Sequence, residues 1–114
     1  MKAGDVVLVR FPFTDLAAAK KRPALVLAYT ARSQRYRLVT LAMITSQIES
    51  LRLDGDVLLK NWKGGGLLHP SLLRLAKVAT VDGDLVDKGI GRLSASDLAA
   101  ARNAFRRVFS AWMR

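Results

Sequence analysis

The feature that most constrains this chain is a series of short, apolar, β-branched runs, each ended by a turn signal. β-branched and aromatic residues favour strands, whereas the Pro, Asp-Gly and Gly-rich stretches between the runs interrupt them. The predicted strands are Asp5–Phe11, Pro23–Tyr29, Tyr36–Ile44, Asp56–Leu59 and Ser71–Val81. Strands this short bury little surface alone, so they must pack on one another, which predicts a mainly β, strongly curved small barrel.

A single helix is predicted at the end of the chain. Ser94 and Asp97 form a start that resembles a capping box, and the apolar residues after it recur at spacings of three and four. We expect that face of the helix to cap the barrel, within one domain over residues 1–114. The residues on the predicted face are Leu98, Ala101, Phe105, Val108, Phe109 and Trp112.

Two predicted strands have features of their own. The near-continuous apolar character of Pro23–Tyr29 predicts burial on both faces of that strand. Arg74 and Lys77 interrupt Ser71–Val81, which indicates that at least one side of that strand is partly exposed to water. Residues 12–22 are predicted to be a loop, because Pro12 cannot donate a hydrogen bond to a strand ladder.

The charge of the chain indicates a polyanionic partner. Its 114 residues contain 19 Lys and Arg against 9 Asp and Glu, which gives a formal net charge of +10. A small domain this basic usually binds nucleic acid, and an acidic protein partner is the second candidate. The two partners do not exclude each other.

Composition also limits the other classes of site. The absence of cysteine excludes disulfides and thiolate metal sites, and one histidine without a carboxylate cluster leaves little for another metal site. We therefore expect neither a metal nor a cofactor. No stretch of 18 apolar residues occurs, and residues 1–5 do not lead into the apolar core of a signal peptide. The expected location is the cytoplasm, with no membrane attachment.

Two short segments could carry chemistry. The first is the run of cations Lys20, Lys21 and Arg22, followed by Pro23, and the second is Thr45-Ser46 at the end of an apolar run. Taken alone, the cations are typical of a solvated loop, and the hydroxyls are typical of a strand end that satisfies local backbone groups. Their joint occurrence, in this order and beside the GDVVLVRF start, changes that balance.

Residues 4–28, GDVVLVRFPFTDLAAAKKRPALVLA, together with Ile44-Thr45-Ser46-Gln47, resemble the MazF/PemK family of toxin endoribonucleases from type II toxin–antitoxin modules. The resemblance implies an SH3-like barrel of short antiparallel strands with a C-terminal α-helix, the architecture shared by CcdB, MazF and PemK. It implies metal-independent, sequence-selective cutting of single-stranded RNA, such as mRNA, through attack by the 2′-hydroxyl. The implied products are a 2′,3′-cyclic phosphate and a 5′-hydroxyl, and the implied partners are a cognate antitoxin and a second copy of the chain.

The resemblance also implies the roles of individual residues. Arg22 would stabilise the charge on the scissile phosphate, because a guanidinium is always charged and its fork matches phosphate oxygens. Thr45 would orient that phosphate or the 2′-hydroxyl. The remaining residues expected to bind RNA are Phe13, Thr14, Lys20, Lys21, Ser46 and Gln47.

Other interpretations stay open at this point. The barrel could bind nucleic acid without cutting it, or could poison DNA gyrase as CcdB does, although the basic end FRRVFSAWMR shows nothing like a gyrase-binding terminus. A scaffolding domain would leave the loop cations unexplained. Many relatives carry an Asp-Gln pair where this chain reads around Ser71–Leu75, so the RNA sequence that it recognises cannot be taken from them. His69 is expected to be structural rather than catalytic.

Overall fold

The computed structural model describes residues 1–10, 20–50 and 52–113. In these residues six antiparallel strands form one sheet, in the order β4-β5-β3-β2-β1-β6, and one α-helix follows the last strand. The elements are β1 (Asp5–Arg10), β2 (Lys21–Ala31), β3 (Arg37–Thr45), β4 (Asp56–Leu58), β5 (Leu72–Asp82), β6 (Val86–Arg92) and α1 (Ala95–Val108). This confirms the predicted mainly β fold with a C-terminal helix.

The central strands are buried on both faces. Successive residues of a strand point to opposite faces, and Val6 and Val7 of β1 are 0% and 2% exposed. Val6 packs in one apolar cluster with Leu25 and the helix residue Ala101, whereas Val7 packs in a second cluster with Val26. The sheet therefore separates two cores. The predicted burial of Pro23–Tyr29 on both faces holds over Ala24, Leu25 and Val26, whereas Ala28 and Tyr29 are exposed.

Close glycine contacts bring the two ends of the sheet together. Gly66, in the connection after β4, has a φ of +85°, and a Cβ there would lie 1.9 Å from the carbonyl oxygen of Ile90 in β6. A Cβ on Gly91 would lie 2.3 Å from the carbonyl oxygen of Gly65. Only glycines permit this approach. It curls the sheet, because the residues following one edge strand contact the other edge strand.

Two strand predictions were wrong. β2 begins at Lys21 rather than Pro23, so Lys21 and Arg22 belong to a strand and not to the loop predicted over residues 12–22. Pairing with β1 extends the strand, since Arg10 lies opposite Lys21 and Val9 opposite Arg22. β6 was not predicted, because its sequence VDKGIGR contains two glycines and three charges and lacks an apolar alternation. It is an edge strand, where such residues are tolerated.

The start of α1 has the predicted cap. The side-chain oxygen of Ser94 accepts a hydrogen bond from the Asp97 N–H, which satisfies one of the free donors of the first turn. Asp97 itself is 1% exposed, and its carboxylate accepts the backbone N–H groups of Lys60 and Asn61 at 3.0 and 2.9 Å. The helix therefore holds the connection that leaves β4. Across the described ranges, no helix is long and apolar enough to cross a membrane.

The helix prediction was wrong at its C-terminal end. α1 ends at Val108, and Trp112 lies in a following 3-10 turn with 88% of its surface exposed. The residues buried along α1 are Asp97, Ala101 and Ala104, and Leu98 and Phe105 pack partly against the same core. The helix ends one turn before the spacing pattern does, so Trp112 does not pack against the barrel.

β1 and β6 are joined at the surface by the pair of Asp5 and Arg92, whose charged atoms lie 3.0 Å apart. Partial burial of Asp5 by itself raises its pKa, but the Lys2 N–H and the Arg92 guanidinium outweigh that effect and lower the pKa below its usual value. Asp5 therefore stabilises the fold above the pKa that it has in the unfolded chain, and this contribution disappears as the pH falls through the lowered value.

We expect Asp5→Asn to lower the free energy of unfolding at pH 7 by up to about 1 kcal/mol, the range for a partly exposed ion pair. The difference from the unaltered protein should shrink as the pH falls below about 4, where free Asp is protonated. Urea unfolding at several pH values measures it, with Glu49→Gln as the control at an exposed carboxylate. A loss that is the same at pH 7 and at pH 3 would exclude a role of the charge.

Candidate active site

A cleft of about 850 Å³ opens at one end of the sheet. Strand ends and connections that are distant in sequence form its walls, and Leu8 of β1 also contributes. These segments are residues 20–23 at the start of β2, 44–47 at the end of β3, 66–69 and 71 between β4 and β5, and 88–90 in β6. Antiparallel pairing places the start of β2 beside the end of β3, and the close approach of Gly65 and Gly66 to β6 brings the other segments to the same end.

Arg22 and Thr45 lie on this cleft, on neighbouring strands. The pairing of β2 with β3 begins at Ala24 opposite Met43, and Arg22 and Thr45 each lie two residues beyond that pair, at the same end of the sheet. Arg22 is also fixed by its pairing with Val9. The structure thus brings together the two residues that the sequence singled out for catalysis.

The Thr45 hydroxyl is oriented by its own loop. Its Oγ1 accepts a hydrogen bond from the Gln47 N–H at 3.1 Å. The carbonyl of Gln47 in turn accepts the Ser50 hydroxyl at 2.8 Å, so the turn is held at both ends. A hydroxyl that accepts in this way keeps its own hydrogen free to donate. Thr45 can therefore donate toward an anionic group in the cleft.

The cleft is electropositive. Lys20, Lys21, Arg22 and Lys88 line it, and none of the lining residues in the described part of the chain is a carboxylate. Asp87, next to the cleft, holds Lys21 with a 3.1 Å contact between their charged atoms. A concave surface with cations of one sign raises the local concentration of anions. The arrangement suits a flexible polyanion better than a neutral ligand.

Most of the predicted RNA-binding residues lie on this cleft. Lys20 and Lys21 are on one wall, and Ser46 and Gln47 continue from Thr45 with exposed side chains. Phe13 and Thr14 lie outside the described residues. Trp62 does not line the cleft; it packs against the barrel core, and the Lys63 ammonium lies 5.3 Å from the centre of its ring.

The structure adds cleft residues that sequence reasoning missed. Lys88 belongs to the strand that was not predicted, and it lies opposite Leu8. Ser71 and the 84% exposed Leu68 come from the connection before β5, as does His69, which was named in the sequence but expected to be structural. The Ser71 hydroxyl donates to the His69 carbonyl at 2.7 Å. The only feature of the sequence that could have indicated this wall of the cleft is the Gly64-Gly65-Gly66 run, since it marks a close approach of the backbone there.

The described part of the chain contains no cluster of three or more His, Cys, Asp or Glu side chains that could bind a metal ion. The chemical groups of the cleft are a guanidinium, ammonium groups, hydroxyls, an amide and one imidazole. Together they can bind a phosphodiester, stabilise added charge on its oxygens and donate hydrogen bonds to it.

Known structures share this fold. The Mycobacterium tuberculosis toxin MazF-mt6 is 24% identical, with a TM-score of 0.71 over 93% of this chain and 96% of that one. A mycobacterial endoribonuclease in complex with its cognate antitoxin is 13% identical, with a TM-score of 0.72 over 96% and 95% of the two chains. The MazE–MazF complex from Deinococcus radiodurans matches at 20% identity and a TM-score of 0.68, over 96% and 94%.

The sequence also identifies the family, although no curated protein matches the chain. The family model described as "PemK-like, MazF-like toxin of type II toxin-antitoxin system" matches residues 2–109, nearly the whole chain. The match agrees with the curled six-stranded sheet, the terminal helix and the cationic cleft, and the chain therefore belongs to the MazF/PemK-like toxins of type II toxin–antitoxin systems.

Proposed function

We propose that this toxin is a metal-independent endoribonuclease that cuts single-stranded RNA sequence-selectively through the RNA's own 2′-hydroxyl. The observation that carries the proposal is the placement of Arg22 and Thr45 at the same end of neighbouring strands, on a cleft lined by four cations. A similar fold in a protein described as an endoribonuclease supports it. RNA provides the nucleophile, so the protein must hold the phosphate and stabilise its charge.

Each residue has a role in this reaction. The 2′-oxygen attacks phosphorus and the bond to the 5′-oxygen breaks, which leaves a 2′,3′-cyclic phosphate and a 5′-hydroxyl. Arg22 stabilises the charge that builds on the non-bridging oxygens, and its fork fits them in a way that an ammonium does not. Thr45 donates its free hydrogen to the same phosphate and sets its orientation.

The other cleft residues bind the flanking RNA. Lys20 and Lys88 contact neighbouring phosphates, while Asp87 holds Lys21 at the edge of the cleft. Ser46 and Gln47 offer polar groups to bases or sugars, and Phe13 and Thr14 are proposed to join them. Binding to n phosphates should weaken with salt, with a log–log slope of about −0.7 for each phosphate contacted.

The partners follow from the family and from charge. The proposed partners are a cognate antitoxin, whose acidic segment would neutralise the cationic cleft, and a second copy of the toxin in a homodimer. Solved relatives include one in complex with its cognate antitoxin and a MazE–MazF complex. Opposite charges across such an interface speed association and exclude competing ligands. The proposed location is the cytoplasm, where mRNA is available.

The test is cleavage of RNA in EDTA. Sequencing the 5′ ends of the fragments first locates the cut, and the same RNA is then made with a 2′-deoxy sugar at that one position. We expect the unmodified RNA to be cut to fragments with a 5′-hydroxyl, and the deoxy RNA to be bound but not cut, since it has no nucleophile. Cleavage that requires a divalent metal, or that continues on the deoxy RNA, would contradict the mechanism. Binding without cutting of either RNA would favour a binding module.

A further inference from the structure

His69 lies on a fixed part of the cleft wall. It follows Leu67, which is 7% exposed and whose N–H donates to the Trp62 carbonyl at 3.0 Å. It precedes Ser71, which is 3% exposed and whose hydroxyl holds the His69 carbonyl at 2.7 Å. The backbone is therefore anchored on both sides of His69, while its side chain is exposed on the cleft.

The position of His69 relative to Thr45 follows from strand pairing. Thr45 lies opposite Leu72, the first residue of β5, and His69 is three residues before Leu72. His69 is thus on the wall next to the end of β3, whereas Arg22 comes from the start of β2. A phosphate held by Arg22 and Thr45 would be flanked by this loop.

The proposed reaction needs a proton at the 5′-oxygen. An alkoxide leaves poorly, so a positioned acid usually contributes to this kind of step. Arg and Lys hold their protons too firmly near neutral pH, and hydroxyls even more so. Among the described residues of the cleft, His69 has the only side-chain type that gives and regains a proton readily near neutrality.

We propose that His69 is the proton donor to the leaving 5′-oxygen, an inference that rests on the proposed nuclease function. As the 2′-oxygen forms its bond to phosphorus, the 2′-hydroxyl proton passes to solvent. The bond between phosphorus and the 5′-oxygen breaks, and the imidazolium gives its proton to that oxygen. The neutral imidazole regains a proton from solvent before the next turnover, so no net proton is consumed.

A substrate with a better leaving group separates this role from others. In RNA whose 5′-bridging oxygen at the cut is replaced by sulfur, a thiolate leaves without needing a proton. His69→Gln should cut ordinary RNA about 10²-fold or more slowly than the unaltered protein, the usual contribution of a general acid. The same variant should cut the sulfur-bridged RNA at nearly the rate of the unaltered protein.

Arg22→Ala is the matched comparison, because it removes charge stabilisation and not a proton. It should slow cutting of both RNAs by similar factors, since sulfur does not replace the missing positive charge. His69→Ala with added imidazole gives a second measurement, in which the small molecule should restore part of the cutting of ordinary RNA. Melting temperatures of all variants confirm that they are folded.

Two results would overturn the assignment of His69. One is equal slowing of the two RNAs in His69→Gln, which would indicate a positioning effect. The other is cutting of ordinary RNA by His69→Gln at the full rate. If the unaltered protein cuts neither RNA, the proposed nuclease function fails, and this inference fails with it.

Discussion

Arg22→Ala is expected to lower the rate of RNA cleavage by about 10²- to 10³-fold, the usual loss when one donor to a charged transition state is removed. Affinity for the RNA should fall much less, because Lys20 and Lys88 still line the cleft and can contact phosphates. Cleavage kinetics at saturating RNA, together with filter binding at several salt concentrations, measure the two effects separately.

Two further variants show that the effect belongs to the site. Arg22→Lys keeps the charge but loses the planar fork, so it should recover only part of the lost rate. Arg102→Ala removes the same charge from an exposed position on α1, away from the cleft, and should leave the cleavage rate unchanged. If Arg22→Ala cuts as fast as Arg102→Ala, the role proposed for Arg22 is wrong.

How well the fold could be predicted depended on how apolar each strand is. β1, β2, β3 and β5 have continuous or alternating apolar residues, so the core itself is visible in the sequence. β6 is defined by its pairing with β1, a contact between residues about 80 positions apart, and its own sequence carries no strand pattern. Trp112 shows the opposite error, since a helical spacing continued after the helix had ended.

Residue type alone was also misleading at Arg74. A charged residue within an apolar run usually indicates an exposed face, and Lys77 is exposed as predicted. Arg74, in contrast, is 8% exposed, because the carboxylate of Asp56 on the neighbouring strand β4 accompanies it into the interior. The sequence alone does not show this partner, because the two residues lie on different strands. Strand pairing places Asp56 directly opposite Arg74.

The candidate site was predicted where its residues belong to recognisable segments. Arg22 and Thr45 stand at the ends of apolar runs, and the resemblance of those runs to a known family singled out both residues. Lys88 and His69 reach the cleft through the curl of the sheet, which depends on close glycine contacts between distant segments. Local patterns contain no information about which distant segments will meet.

The buried pair of Asp56 and Arg74 also connects the core to the candidate site. Their side chains are 2% and 10% exposed, and their charged atoms lie 3.7 Å apart. Arg74 donates to the Ser50 hydroxyl, and Ser50 donates to the carbonyl of Gln47. Since the Gln47 N–H orients Thr45, the pair supports the turn that positions the Thr45 hydroxyl on the cleft.

We expect Asp56→Ala to lower the free energy of unfolding by about 3–5 kcal/mol, because it removes the carboxylate that lies 3.7 Å from the buried Arg74 guanidinium. It also removes the acceptor of the Leu53 N–H, a 2.8 Å hydrogen bond. The loss should be accompanied by slower RNA cleavage, as the turn from Thr45 to Ser50 loses its support. Urea unfolding and cleavage kinetics measure the two consequences.

The matched control is Asp54→Ala, which breaks the pair of Asp54 with Arg107. The side chains of Asp54 and Arg107 are 75% and 56% exposed, so loss of this pair should lower the free energy of unfolding by only about a few tenths of a kcal/mol. The double variant Asp56→Leu with Arg74→Met removes both buried charges and should regain most of the stability, because apolar residues of similar volume can replace a buried pair. Equal losses of unfolding free energy in Asp56→Ala and Asp54→Ala would contradict a buried ion pair that supports this turn. So would a double variant whose loss of stability equals the sum of the losses in Asp56→Leu and Arg74→Met alone.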